Sequence, residues 1–272
     1  MKLKLIVGLV GVLSLSSFST LPSSGDADKK QQKDWVVGPF VRPEGVNPVI
    51  VPQPTSFYCP MRKEQVKWEE SDTFNPAATV KDGKIVVLYR AEDNSAQGIG
   101  KRTSRIGYAE SAHGVTMKRS DSPVLFPGGD DFESIECPGG CEDPRVAMTE
   151  DGLYVMIYTA WNRKTPRLAV ATSKDLKNWT KHGLAFEKAY DGRFTRIATK
   201  SASILTKVKG GKLVIDKVDG KYFMYWGEYA VHAATSDNLT DWYPVLDKNN
   251  ELLKIAKPRN GHSYQTRHCA DV

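Results

Sequence analysis

Asp151-Gly152-Leu153-Tyr-Val-Met-Ile-Tyr-Thr-Ala160 decides the fold: an Asp-Gly turn runs directly into a stretch rich in β-branched and aromatic residues, the pattern of a tight reversal entering a strand. The pattern occurs three times. Asp82-Gly83 precedes Lys84-Ile-Val-Val-Leu-Tyr-Arg90, and Asp219-Gly220 precedes Lys221-Tyr-Phe-Met-Tyr-Trp-Gly-Glu228, so the turns stand 69 and 68 residues apart. A second strand follows each and closes on a small-residue tetrad: Tyr108-Ala-Glu-Ser111, Val170-Ala-Thr-Ser173 and Ala233-Ala-Thr-Ser236. Six residues past each closing serine stands Met117, Trp179 or Trp242. Asp175 to Trp179 and Asn238 to Trp242 read as turns entering a last strand, with the Trp in the unit's own core. Such units, nearly free of helix and repeating every 60 to 70 residues, predict an all-β protein of the β-propeller type rather than a solenoid, whose repeats are shorter. A β-sandwich does not require the tetrad and the large residue to recur in register.

The chain has 272 residues, 40% hydrophobic and 26% charged, which excludes disorder, collagen and a polytopic membrane protein. Thirty-eight Lys and Arg against 32 acids give a net charge of +6, but the basic residues are scattered, so no nucleic-acid partner is expected. Four cysteines are too few to staple a chain this long. Cys137 and Cys141 bracket Pro-Gly-Gly, a spacing that suits a small disulfide or half of a zinc site, with two free thiols on a turn as the plainer reading. Lys2 and Lys4 precede an apolar run from Leu5 to Leu15 and then Ser16, Ser17 and Ser19. This predicts a secretory signal peptide and leader over 1–24, a propeller domain over 25–272, an exported protein and no membrane span after cleavage.

Polar residues gather at equivalent ends of the strands, where blades of a propeller converge. The first unit offers Asp72, Asn75, Arg90, Glu92, Asp93, Ser104 and Arg105; the second Glu142, Asp143, Arg145 and Asn162; the third Thr199, Lys200, Ser201 and Glu228. Carboxylates, a few cations, Asn and many aromatics suit a sugar pocket. Glycoside cleavage needs one carboxyl to protonate the leaving oxygen and, for hydrolysis, another to activate water or attack the anomeric carbon. Asp143 and Glu228, each ending a strand-like segment, are the best pair. Each residue also has a structural reading: Asp143 as a turn cap, Arg90 and Arg105 as ion-pair partners of Glu92 and Asp93, and Glu228 as a structural acceptor.

Asp72-Thr-Phe-Asn-Pro-Ala-Ala, Leu88-Tyr-Arg-Ala-Glu-Asp, Ser104-Arg-Ile-Gly-Tyr-Ala-Glu-Ser, Glu142-Asp-Pro-Arg-Val and Lys221-Tyr-Phe-Met-Tyr-Trp-Gly-Glu resemble motifs of glycoside hydrolase family 130, the β-mannosidases and β-mannoside phosphorylases. The resemblance spans about Pro39 to Arg259. It implies a five-bladed propeller acting with inversion on β-mannosides, with Asp143 as general acid, directly or through a sugar hydroxyl. It also implies contacts to mannose or the incoming nucleophile at Asn75, Arg90, Asp93, Arg105, Arg145, Asn162 and Lys200, with Glu228 as candidate base.

Hydrolysis of β-1,2- or β-1,4-linked manno-oligosaccharides is the expected reaction, because a carboxylate such as Glu228 near the anomeric carbon repels phosphate and because export removes the benefit of a sugar phosphate. Phosphorolysis releasing mannose 1-phosphate is the alternative, supported by the cations Arg145, Arg163, Lys164, Arg167 and Arg196. A non-catalytic carbohydrate-binding propeller is the third reading, since the chain holds only about four blades' worth of sequence and the Glu-x-Gly-Pro-Pro segment of the family is missing. The expected partners are the oligosaccharide and, for a phosphorylase, inorganic phosphate; no metal or other cofactor is expected.

Overall fold

Asp82 and Gly83 both adopt left-handed backbone, at φ 50° and 74°, as do Asp219 and Gly220, at 49° and 79°, the combination that a two-residue hairpin turn requires. At Asp151-Gly152 the loop is longer, and only the glycine is left-handed, at φ 87°. The computed structural model describes residues 39–256. The leader, Arg259 and the residues after it, including Cys269, lie outside the described residues. From Arg42 on the described residues form one compact unit; everything below concerns it.

A hairpin of β1 (Gln53–Cys59) and β2 (Glu64–Glu69) precedes three antiparallel meanders. The first contains β3 (Asp72–Lys81), β4 (Lys84–Glu92), β5 (Ser104–Ser111) and the short β6 (Lys118–Arg119). One helical turn, α1 (Glu133–Glu136), then leads to the second: β7 (Gly140–Met148), β8 (Tyr154–Trp161), β9 (Pro166–Ser173) and β10 (Thr180–Leu184). The third begins with β11 (Ala202–Ile204), which is followed by an interposed hairpin of β12 (Thr206–Lys209) and β13 (Lys212–Ile215). It continues through β14 (Lys217–Val218), β15 (Lys221–Trp226), β16 (His232–Ser236) and β17 (Trp242–Pro244). A single parallel bridge, Ser104 to Gly140, joins the first two meanders. The protein is all-β with almost no helix; among the described residues the pairings form no closed ring of strands. No described helix is long and apolar enough to cross a membrane.

The recurring tetrad has a physical cause. Ser111, Ser173 and Ser236 each accept backbone N–H bonds at Oγ from the two turn residues that follow at i+2 and i+3, which fixes the turn out of the strand. In the second and third copies the Trp donates its indole N–H back into that turn, Trp179 to the Leu176 carbonyl and Trp242 to the Leu239 carbonyl. Trp242 lies in the core shared by the second and third meanders, while Trp179 packs against the core shared by the first and second, and Met117 against the one between the β1–β2 hairpin and the first.

Gly107, on β5, lies opposite Tyr89 on β4. A Cβ at Gly107 would stand 2.3 Å from the Tyr89 ring. That ring stacks on Trp68 with centroids 6.2 Å apart, and its hydroxyl donates to Glu69 at 2.7 Å, so it has nowhere to move. Gly107→Ala is therefore expected to cost about 1–3 kcal/mol through overpacking, read as a lower denaturant midpoint at unchanged slope.

Cys59, Cys137 and Cys141 are free thiols, in agreement with the plainer reading of the 137–141 pair.

Candidate active site

Two β-bulges build the site. On β3 the register slips between Phe74 and Ala77, so Asn75 and Pro76 together face Tyr89; on β7 it slips between Glu142 and Arg145, so Asp143 and Pro144 together face Tyr158. Proline lacks the N–H that a ladder needs and is tolerated at a bulge. Asn75 and Asp143 take left-handed backbone there, at φ 44° and 49°, and Ser201 does the same at 54° just ahead of β11. Asn and Asp are among the residues that adopt this region most readily. In a regular strand Glu142 and Asp143 would point to opposite faces; the bulge turns both toward one guanidinium.

That guanidinium is Arg90, only 3% exposed. Its Nη2 lies 2.5 Å from Glu92 Oε1 and 2.9 Å from Glu142 Oε1, its Nη1 donates to Asp143 Oδ1 at 3.0 Å, and its Nε donates to Ser104 Oγ at 3.0 Å. Its face covers the Phe74 ring, 4.6 Å from the centroid. Asn75 Nδ2 also donates to Asp143 Oδ1, at 2.9 Å, and Lys200 Nζ stands 3.4 Å from both Glu142 Oε2 and Asp143 Oδ2. Arg102 reaches the other side of Glu92 and pairs with Asp72. The three meanders thus meet at Asp143.

The two neighbouring carboxyls are driven apart. Burial works to raise the pKa of Asp143, but Arg90, Lys200 and the Asn75 amide outweigh it and hold the carboxyl below its ordinary value. At Glu142 burial wins: together with the charge of Asp143 it raises the pKa against the pull of Arg90 and Lys200. Asp143 and Lys200 keep 18% and 23% of their side chains exposed, whereas Glu142 keeps 3%. Solvent therefore reaches Asp143 and Lys200 before Glu142.

Of the residues expected from the sequence, Asn75, Arg90, Asp143 and Lys200 come together. Asp93 and Arg105 do not join them. Ser104 and Arg105 are consecutive on β5 and point to opposite faces, so Arg105 lies with the hairpin core, over the Phe57 ring and donating to Cys59 Sγ. There it pairs with Asp93 at 2.9 Å and is fully buried, the ion-pair arrangement that was the structural reading. Asn162 caps a turn, accepting the Lys164 and Thr165 N–H groups and donating to the Ser134 carbonyl. Arg145 donates to the carbonyls of Pro144 and Pro76. Two strand-end expectations need correction. Asp143 lies inside β7, at its bulge, and Glu228 falls beyond β15, half-buried in a bend, because Gly227 at φ 120° ends the strand. Glu92, Ser104 and Glu142, which the sequence places among the strand-end polar residues without a role, join the cluster. The signal for Glu92 was its i, i+2 spacing from Arg90 on one strand face.

The family model described as "beta-1,4-mannooligosaccharide phosphorylase" matches residues 51–263. The chain belongs to glycoside hydrolase family 130. Within this family it is similar to "1,2-beta-oligomannan phosphorylase" from Thermoanaerobacter sp. (strain X514), 32% identical over 68% of this chain and 57% of that protein. "Beta-1,2-mannobiose phosphorylase" from the same organism is 29% identical over 58% of this chain and 48% of that protein. Among solved structures, a putative glycoside hydrolase from Bacteroides ovatus ATCC 8483 is 76% identical with a TM-score of 0.80, covering 85% of this chain and 65% of that one. Another, reported as "The GH130 family of mannoside phosphorylases contains glycoside hydrolases that target beta-1,2 mannosidic linkages in Candida mannan", is 60% identical with a TM-score of 0.82, covering 85% and 64%. This family 130 chain therefore spans about 57% of the first curated relative and 65% of the first solved one.

Proposed function

We propose that this family 130 chain carries a glycosidase site acting on β-mannosides, with inversion, in which Asp143 donates the proton to the leaving oxygen. The observation that carries the reading is the convergence on Asp143, in the second meander, of Asn75 and Arg90 from the first and Lys200 from just ahead of the third. In this reading the meanders are blades of a five-bladed propeller and the cluster lies at their central pocket, with Arg90, Asn75 and Lys200 holding the sugar hydroxyls or the nucleophile. The leader reading makes the protein an exported one.

The acceptor is either phosphate or water. The family description and the names of both curated relatives support phosphorolysis, and Lys200 beside Asp143 adds a cation for the phosphate dianion. Hydrolysis is the second reading, favoured by the report of the relative at 60% identity, that the family contains glycoside hydrolases targeting β-1,2 mannosidic linkages; in it Glu228 activates the water. The test incubates the chain with β-1,2- and β-1,4-linked manno-oligosaccharides, with and without inorganic phosphate. Mannose 1-phosphate formed only with phosphate supports phosphorolysis, and mannose formed without phosphate supports hydrolysis. Binding of the oligosaccharide with no cleavage under either condition sinks the enzymatic reading.

A further inference from the structure

The cluster around Arg90 has too few protons for the oxygens it gathers. Glu92 Oε1 and Glu142 Oε1 converge on the same two donors, Arg90 Nη2 at 2.5 and 2.9 Å and Ser104 Oγ at 3.1 and 3.5 Å. Ser104 has one hydroxyl proton and already accepts from Arg90 Nε, so it serves one of these oxygens and not both. The charges at close range do not balance either: Glu92, Glu142 and Asp143 crowd on Arg90 with Lys200 3.4 Å from two of them, while Arg102, 3.5 Å from Glu92, is also engaged by the more exposed Asp72. One buried negative charge in excess is costly, and such clusters relieve it by retaining a proton. Glu92 takes the shorter bond to Arg90 and also faces Arg102. Asp143 holds Asn75, Arg90 and Lys200. Glu142 is left as the carboxyl best placed to keep the proton.

We propose that Glu142 and Asp143 share one proton, which rests on Glu142 in the unliganded protein and reaches Asp143 through Lys200. Glu142 is then a positioning residue: it touches no substrate but sets the protonation of the residue that does. In the transfer, one N–H of the Lys200 ammonium passes to Asp143 Oδ2, and the amine left behind takes the Glu142 proton. Lys200 ends as it began, Glu142 as a carboxylate and Asp143 as the acid. The groups that face Glu142 are Arg90 and Glu92 from β4, Ser104 from β5, Asp143 from its own strand and Lys200 ahead of β11. The raised Glu142 and lowered Asp143 described above agree with this placement. Its role in turnover rests on the proposed reading of Asp143; the location of the proton does not.

The experiment is a 13C NMR titration of the chain labelled at the Glu and Asp side-chain carboxyls, with E142Q and D143N identifying the two resonances. Glu142 is expected to titrate above the ordinary glutamate value of about 4.3, and Asp143 below the ordinary aspartate value of about 3.9. A Glu142 resonance that titrates at or below the ordinary value overturns the proposal. The second readout is the pH profile of mannoside cleavage. In E142Q the alkaline limb of kcat/KM is expected to move at least one pH unit lower with little loss on the acid side, because the upper apparent pKa belongs to the pair. A profile lowered uniformly with its limb unmoved overturns the relay. If the unaltered chain cleaves no mannoside, the functional reading falls, while the titration still decides where the proton sits. If E142Q does not fold, E142D removes the same Glu resonance and supplies the assignment.

Discussion

Arg90→Leu is expected to destabilise the protein by about 3–5 kcal/mol at neutral pH, the cost of breaking a buried ion network by removing one partner. Among the described residues the guanidinium is the one group that touches Glu92, Glu142 and Asp143 together, and it does so while almost wholly buried. Leucine fills part of the volume over Phe74 but leaves three carboxyls with only Lys200 and Arg102 nearby. Arg90→Lys is expected to recover part of the loss, since an ammonium supplies charge without the fork that reaches three acids at once. The sign with pH is fixed by Asp143. Its pKa in the folded protein is depressed, so its contribution is present above the unfolded value of about 3.9 and is lost as pH falls through the folded value. The deficit of Arg90→Leu should therefore be largest near neutrality and shrink in acid. Denaturant unfolding at pH 7 and at about pH 2, below the unfolded value, measures it; a loss below about 1 kcal/mol at pH 7 would mean that the network contributes little to the fold.

The parts legible in the sequence are those fixed by local chemistry. Asp-Gly turns and the serine that ends each tetrad act within four residues of themselves, so their spacing revealed the repeat before any contact was known. Arg90 and Asp143 were legible because they stand at strand positions that recur. Alternation along a strand also contained the separation of Arg105 from Arg90, since Arg105 is paired with Ala91 while Arg90 and Glu92 share the other face; parity there argues against a shared site. Glu142 was hidden by the same rule. Two consecutive residues reach one guanidinium only across a bulge, and the bulge depends on register against β8, which is a tertiary fact. Asn162 was misplaced for a different reason: an Asn after a strand is as often a turn cap as a ligand, and here both ends of its amide hold backbone.

Asp143→Asn is expected to lower cleavage of β-linked manno-oligosaccharides by about 10²–10⁴-fold, the contribution of a positioned proton donor, while leaving the fold close to intact. Asparagine adopts the left-handed backbone that this position requires, at φ 49°. Its side-chain oxygen can still accept from Asn75 Nδ2 and Arg90 Nη1, which now donate to Asp143 Oδ1 at 2.9 and 3.0 Å. What it cannot do is carry a proton to the leaving oxygen. That loss should depend on the leaving group: an aryl mannoside whose phenol departs without help should suffer far less than an oligosaccharide whose sugar alkoxide needs protonation. Asp143→Ala removes the acid as well, but it also places alanine in a left-handed conformation and leaves Asn75 and Arg90 without their acceptor, so its defect should mix stability with chemistry. Steady-state rates on both substrate types, with thermal unfolding of each variant, separate the two effects. Equal losses on the aryl mannoside and the oligosaccharide in Asp143→Asn would take the proton away from Asp143, and the cluster would then be a binding device whose acid lies elsewhere.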